Sequence, residues 1–180
     1  MLNEKDTIRC ESVFNDDRTH RFLWKRVWDK EKPLACVITL NPSLSTNLIM
    51  DTTTFLIVNN VTRLEKYGGV VIVNLYSVLT TKLNFKEEDA DSFNDPTNDT
   101  YIVKAAEECE AVILAWGRSA DSNQHISERA VEVFNLLVPY ENKLYVISDG
   151  VRFGIHPLTP SARNAWHVEK VSLSNMMEAE

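Results

Sequence analysis

The sequence predicts an α/β fold, a three-layer α/β/α sandwich with a short, mostly parallel central sheet. Two observations lead to this fold class. Short apolar runs rich in Val, Ile and Leu alternate with segments whose apolar residues recur at helical spacing. In addition, the apolar runs are continuous, which is typical of strands that helices cover on both faces of a parallel sheet. The predicted core strands are residues 36–40, 70–73, 111–115 and 143–147.

Length and composition indicate a single domain, residues 1–180, with its core at about residues 20–160. The chain has 180 residues, of which 44% are hydrophobic and 25% are charged. No run approaches the ~18 apolar residues that span a bilayer. The polar, charged N-terminus has no apolar stretch suited to secretion. We therefore expect a cytoplasmic protein that does not associate with a membrane.

Charge, cysteine and histidine patterns narrow the function classes. The formal net charge of −7 argues against broad, non-specific binding to a phosphate backbone. The chain also lacks a Gly-rich phosphate loop, a dinucleotide fingerprint and a histidine spacing typical of a metal site. The sequence therefore predicts neither a metal nor a cofactor. The three cysteines are widely spaced and are predicted to be reduced thiols: Cys10, Cys36 and Cys109.

The amino-terminal part of the chain is predicted to contain a polar start followed by two strands. Residues 1–20 are polar and predict an irregular or hairpin-like start. Residues 21–28 alternate apolar with basic side chains, which predicts a half-exposed strand. The strand 36–40 runs directly into Asn41-Pro42-Ser43, which is turn chemistry at its carboxyl end.

A helix is predicted next, over residues 52–67. Asp51 and the threonines that follow it are suited to cap its first turn, and Gly68-Gly69 to end it. The strand after these glycines consists of four β-branched residues and stops at Asn74.

The second half continues the alternation after a long polar stretch. Residues 82–99 are rich in Asp, Glu and Asn and predict a mobile acidic loop within the same domain. Helices are predicted over 98–110 and 128–138, and the chain after residue 150 ends in a short tail. The strand between these two helices ends at Trp116-Gly117-Arg118.

Polar residues follow the predicted strands, and they are the candidate site. Right-handed crossovers place the carboxyl ends of parallel strands at one edge of the sheet, where open α/β sheets bind ligands. We expect Asn41, Asn74, Arg118 and His156 to converge there. An Asn side chain offers a donor pair and an acceptor, which suits a nucleobase edge, and His156 is the candidate titrating group.

Each of these residues also has a structural interpretation, and both interpretations stay open. Asn41 is a common turn residue before proline, and Asn74 can bond to backbone. Trp116-Gly117 can serve packing and a tight turn. Arg118 can be a surface arginine, and a lone His is more often structural than catalytic.

The motifs in order resemble a bacterial and phage domain family of unknown function, DUF1643. The likeness spans about residues 20–160. It is carried by Arg21-Phe22-Leu23-Trp24, Trp28-Asp29, Leu40-Asn41-Pro42-Ser43, Asp51-Thr52-Thr53, Tyr67-Gly68-Gly69, Val73-Asn74-Leu75, Asn98-Asp99, Ala115-Trp116-Gly117 and His156-Pro157-Leu158.

A more distant resemblance is to the uracil-DNA glycosylase superfamily, itself a three-layer α/β fold with a short parallel sheet. Asn41-Pro42 is similar to its first motif, and His156-Pro157 to its last. The resemblance implies that Asn41 orients a water, that Asn74 binds the base and that His156 hydrogen-bonds the departing base. Further ligand contacts would come from Pro42, Ser43, Asp51, Trp116, Gly117, Arg118 and Pro157.

Three hypotheses of function follow. The first is a glycosylase-like enzyme that hydrolyses an N-glycosidic bond in DNA or in a nucleotide. Its first motif carries Asn41 in place of the water-activating Asp, and an amide cannot act as a general base. The second is a non-catalytic module that binds a nucleotide or a modified base. The third is a phage or mobile-element protein that binds a protein partner through an acidic, DNA-mimicking surface at residues 87–91.

Overall fold

The structure, a computed structural model, describes residues 3–86 and 89–171. Over these residues the chain forms seven β-strands and three α-helices. The strands are β1 (Arg9–Phe14), β2 (Arg21–Val27), β3 (Leu34–Thr39), β4 (Gly69–Asn74), β5 (Ala111–Leu114), β6 (Leu144–Ser148) and β7 (His167–Lys170). The helices are α1 (Thr52–Arg63), α2 (Asn98–Glu108) and α3 (Gln124–Leu137).

All seven strands join one sheet in the order β1-β2-β4-β3-β5-β6-β7. The inner strands β4, β3, β5 and β6 are parallel to one another. Strands β2 and β7 pair antiparallel with β4 and β6 on either side of this group, and β1 pairs antiparallel with β2. The α/β class is therefore confirmed, but the sheet is mixed, and the prediction of a mostly parallel sheet holds only for its centre. The predicted tail supplies β7, a four-residue strand with no apolar run to indicate it.

Helices lie on both faces of the sheet and cover a separate apolar cluster on each face. Alternate residues of a strand point to opposite faces, so Val37 and Ile38 of β3 belong to different clusters. The helix α1 buries Ile57 on the Val37 side. The helices α2 and α3 bury Ile102 and Val133 on the other side. This arrangement leaves the carboxyl edge of the parallel strands uncovered by helices.

The helix α1 begins where the sequence predicts and ends earlier. Asp51 is its N-cap, as predicted, and accepts hydrogen bonds from the backbone N–H groups of Thr53 and Thr54. The helix stops at Arg63, so Gly68-Gly69 is not its C-cap. A Cβ on Gly68 would lie 1.8 Å from the carbonyl oxygen of Asp29. This glycine therefore permits a close approach of two backbones.

Strand β2 is more deeply buried than the half-exposed strand that the sequence predicts. Its first four residues, 21–24, are all buried. The strand lies between β1 and β4, and Phe22 stacks on Tyr101 of α2 at 5.3 Å between ring centroids. The loop 43–51, between β3 and α1, covers the start of β2, since Arg21 donates a hydrogen bond to the carbonyl oxygen of Ser45.

The polar stretch 82–99, which the sequence predicts as a mobile loop, has local structure in its described part. It contains a short 3₁₀ helix, Ala90–Phe93, in which Phe93 is 1% exposed. Glu87 and Glu88 of the acidic run lie outside the described residues. The helix α3 also starts one turn earlier than predicted, because Asn123 accepts a hydrogen bond from the backbone N–H of Ile126 and caps it.

No helix in the described ranges has the length and apolar character needed to cross a membrane. Among the cysteines, Cys36 and Cys109 are buried and Cys10 is exposed, and all three are free thiols.

Candidate functional site

A cleft of about 480 Å³ opens at the carboxyl edge of the parallel strands. This volume lies within the range of about 300–1,000 Å³ that is usual for small-molecule sites. Pro157 is buried and does not line the cleft. The other nine predicted site residues all line it: Asn41, Pro42, Ser43, Asp51, Asn74, Trp116, Gly117, Arg118 and His156.

Asn74 presents a hydrogen-bond donor to the cleft. It is the last residue of β4, pairs with Thr39 at the end of β3, and is 1% exposed. The hydroxyl of Thr39 donates to Asn74 Oδ1 at 2.6 Å, which fixes the amide orientation. The Nδ2 group of Asn74 makes no hydrogen bond within the described ranges. Since the oxygen is already bonded, the amide NH₂ is the group that remains for a ligand.

Asn41 presents the complementary group, an acceptor. Its Nδ2 donates to the carbonyl oxygen of Thr80 at 2.7 Å and to that of Pro42 at 3.2 Å. These bonds tie the turn after β3 to the segment after β4, so Asn41 does have the structural role of a turn residue. Its Oδ1 accepts no hydrogen bond from the described residues and remains for a ligand or a water.

His156 is a half-buried side chain in its neutral form. Its Nδ1 accepts a hydrogen bond from the backbone N–H of Leu158 at 3.1 Å. An accepting Nδ1 requires the proton to sit on Nε2. Burial lowers the pKa of His156, while the charge of Asp51 acts in the opposite direction. The neutral ring therefore offers one donor, Nε2–H, in a residue that lines the cleft.

The turn after β5 positions His156. Gly117 has a φ of +75°, and a Cβ there would lie 2.8 Å from the Cβ of His156. Only glycine combines this backbone conformation with so close an approach. Trp116 is 7% exposed and packs against Phe134. Arg118 is an exposed rim residue, and its Nε already donates to Asp121 Oδ2 at 2.6 Å.

Asp51 is the only carboxylate among the described residues that line the cleft, and all four of its hydrogen bonds are structural. Its Oδ1 accepts from the backbone N–H groups of Thr53 and Thr54. Its Oδ2 accepts from the hydroxyls of Thr54 at 2.7 Å and Ser43 at 2.5 Å. Burial raises the pKa of Asp51, but the hydrogen bonds from Ser43 and Thr54 outweigh it and leave the pKa below its ordinary value.

Asp51 is therefore expected to make the stability of the fold depend on pH in the acidic range. Its folded-state pKa lies below 3.8, its ordinary value. The ionised carboxylate thus stabilises the fold above that pH, and this stabilisation is lost as the pH falls through the folded-state pKa. In urea unfolding at about pH 7 and about pH 3, wild type should lose more stability than Asp51→Asn, which has no ionisable group at this position. An identical loss in both proteins would contradict this role.

Arg21 is a charged residue of the cleft that was not among the predicted site residues. It lies at the start of β2, is 2% exposed and lines the cleft. Its Nη1 donates to the carbonyl oxygen of Ser45 at 2.7 Å and to the hydroxyl of Ser45 at 3.1 Å. Within the alternating run 21–28, nothing distinguishes Arg21 from the other basic residues. Its burial results from the loop 43–51, which no local pattern predicts.

The arrangement offers hydrogen-bonding groups of both kinds and charges of both signs, but no free general base. Asn74 and His156 supply donors, Asn41 supplies an acceptor, and Arg21 and Asp51 supply the charges. Within the described ranges, no group of three or more His, Cys, Asp or Glu side chains is placed to hold a metal ion. The site is therefore suited to recognising a polar, planar ligand.

The comparisons with known proteins identify a family. Neither the curated proteins nor the solved structures include a significant match to the chain, so the likeness to uracil-DNA glycosylases stays a prediction. A family model described as a protein of unknown function matches residues 21–158. This range covers most of the chain and contains every site residue named above. The chain therefore belongs to the DUF1643 family.

Proposed function

We propose that the cleft binds a nucleobase-containing ligand. The observation that carries the proposal is the presence of three complementary groups in one cleft: the Asn74 amide NH₂, the His156 Nε2–H and the Asn41 Oδ1. Two donors and one acceptor complement a base edge on which two carbonyl oxygens flank an N–H, as in uracil and thymine. The distant likeness of these motifs to the uracil-DNA glycosylases supports the same ligand class.

Apolar side chains in the cleft also support a small planar ligand. The cleft combines apolar side chains, among them Ile57, Ile72 and Trp116, with polar groups that can orient a ligand. Aromatic surface near a polar edge is also suited to a flat ring.

Binding is supported more strongly than hydrolysis. Asn41 has no basic lone pair at the position where it would need to deprotonate a water. Asp51 has a lowered pKa and four hydrogen bonds, which make it a weak base.

Hydrolysis of an N-glycosidic bond is a second candidate, favoured by the negative charge of Asp51 in the same cleft. In this reaction the C1′–N bond breaks and its electron pair leaves with the base, which the His156 Nε2–H stabilises. The oxygen of a water held by Asn41 Oδ1 forms the new C1′–O bond, and its proton passes to solvent. The ionised Asp51 stabilises the positive charge that develops on the sugar.

Two assays test these functions. Calorimetric titration with uridine, thymidine and cytidine should show binding, with the first two nucleosides preferred because cytidine lacks the second carbonyl. Incubation with uracil-, hypoxanthine- and hydroxymethyluracil-containing DNA, followed by abasic-site detection, tests hydrolysis, with Asn41→Ala as the matched variant. Absence of binding to all three nucleosides would overturn the first proposal. Absence of base release would overturn the second and leave the first intact.

A further inference from the structure

Arg21 is a buried cation without a matching anion. Arg21 is 2% exposed, and its Nε has no hydrogen-bond partner among the described residues. Its bonded neighbours are the carbonyl oxygen and the hydroxyl of Ser45, both of which are uncharged. Asp51 attracts Arg21 through space but forms no salt bridge with it in the described structure.

The other buried arginine in the described residues, Arg129, differs from Arg21 because it has carboxylate partners. It is 6% exposed, bonds to the carboxylates of Asp99 and Glu132, and donates from Nε to the carbonyl oxygen of Leu75 at 2.8 Å. These hydrogen bonds and charges raise the pKa of Arg129 despite its burial. A buried guanidinium with two carboxylates is an ordinary structural ion pair, whereas one without a carboxylate has an uncompensated desolvation cost.

The electrostatics of Arg21 agree with its contacts. Burial lowers the pKa of Arg21 to about 10, and the charge of Asp51 only partly opposes this. The side chain therefore remains protonated at neutral pH while its charge is under-compensated. An anion entering the cleft would supply the missing negative charge, and Arg21 lines that cleft.

Hydroxyl groups around the cleft suit a phosphate. Thr53, Thr81 and Ser119 line the cleft, and their hydroxyls form no hydrogen bond within the described ranges. A phosphate group presents several oxygens to such donors as well as to a guanidinium. The N-terminus of α1 is not the anion site, because Asp51 already accepts from its free N–H groups.

We propose that Arg21 is the phosphate-binding residue of the cleft and that the ligand is a free nucleoside monophosphate. The nucleoside part rests on the proposed function, whereas the phosphate part rests on Arg21 and on the hydroxyl groups of the cleft. A free nucleotide is favoured over a phosphate within a nucleic acid, because a residue that is 2% exposed is reached by a terminal group more readily than by a continuous strand. The net charge of −7 also opposes the approach of a polyanion.

The test compares phosphorylated and unphosphorylated probes on the full-length protein. Calorimetry at constant ionic strength measures affinity for uridine, uridine 5′-monophosphate, inorganic phosphate and a short single-stranded oligonucleotide. Wild type should bind the monophosphate about tenfold to a hundredfold more tightly than uridine, the effect expected of a hydrogen bond to a charged group. In Arg21→Met the preference for the monophosphate should disappear, while affinity for uridine is retained.

Arg26→Met is the matched control. Arg26 lies on the same strand, donates from Nη2 to the carbonyl oxygen of Asn47 in the loop 43–51, and does not line the cleft. Its replacement removes the same charge and a similar contact to this loop, and it should leave the preference unchanged. If Arg21→Met does not fold, the wild-type comparison of uridine with its monophosphate still decides whether the cleft binds a phosphate, and Arg21→Lys then tests the assignment of the residue.

Each outcome separates this inference from the proposed function. Equal affinity for uridine and its monophosphate would overturn the phosphate site and leave base binding intact. Phosphate binding that Arg21→Met abolishes, without any binding of uridine, would support the phosphate site and overturn base binding. Tighter binding of the oligonucleotide than of the monophosphate would overturn the assignment of a free nucleotide.

Discussion

Asn74→Asp is expected to weaken binding of uridine by about tenfold to a hundredfold. The substitution keeps the shape of the side chain and one oxygen for the Thr39 hydroxyl. It replaces the amide NH₂, the group left for a ligand, with a second oxygen. That oxygen would repel a base carbonyl instead of donating to it. Calorimetric titration with uridine measures the loss.

The pH dependence of this variant gives a second signature. Because Asn74 is 1% exposed, a carboxyl group introduced there is expected to have a raised pKa. Its protonated form can donate a hydrogen bond, so affinity should partly recover between about pH 8 and about pH 5. Wild type should show no such recovery at this position, since its amide does not titrate.

Asn60→Asp is the matched control for this prediction. Asn60 is also 1% exposed, but it lies in α1, where Nδ2 donates to the carbonyl oxygens of Leu56 and Arg163, and it does not line the cleft. The control should lower stability without changing affinity for uridine at a temperature at which the variant is folded. Equal losses of affinity in the two variants would show that Asn74 acts through the fold and not through a ligand contact.

Phe93→Ala is expected to lower the free energy of unfolding by about 3–5 kcal/mol, the usual cost of removing a buried phenyl ring. Phe93 is 1% exposed and packs edge-on against Phe85 at 5.0 Å and Tyr76 at 6.2 Å between centroids. Its carbonyl oxygen also accepts from the backbone N–H groups of Ser77 and Val78. Urea unfolding followed by tryptophan fluorescence measures the change.

Phe55→Ala serves as the comparison, because Phe55 is 48% exposed on α1. Its replacement should change stability by about 0.5 kcal/mol or less. The pair of variants decides between two views of residues 82–99. If this stretch were the mobile loop that its composition predicts, Phe93→Ala would cost no more than Phe55→Ala.

The candidate site shows which residues the sequence pattern could place correctly. The placement of Asn41 and Asn74 could be predicted, because each follows an apolar strand and parallel strands end at one edge of a sheet. The cleft also contains His156, which was expected at the same edge of the sheet although it lies several residues beyond the end of the last predicted strand. The roles of these residues stay predictions, and Pro157 lies outside the lining.

The burial of Arg21 is a feature that the sequence pattern does not predict. Basic residues that alternate with apolar ones usually face solvent, and this expectation is local to the strand. Whether such a residue is buried depends on what covers the strand, and here the cover is the loop 43–51, through Ser45. The same reason explains Phe93, whose polar sequence neighbours conceal contacts with distant aromatic rings.

The amino-acid sequence by itself determined the α/β class, the four central strands, the Asp51 cap and the strand ends that line the cleft. These features depend on hydrophobic period and on short-range hydrogen bonds, both of which are written in neighbouring residues. Only the tertiary structure decided the mixed sheet, the burial of Phe93 and the uncompensated charge of Arg21. Edge strands, burial and charge compensation depend on segments that meet in space, and a single sequence does not record which segments these are.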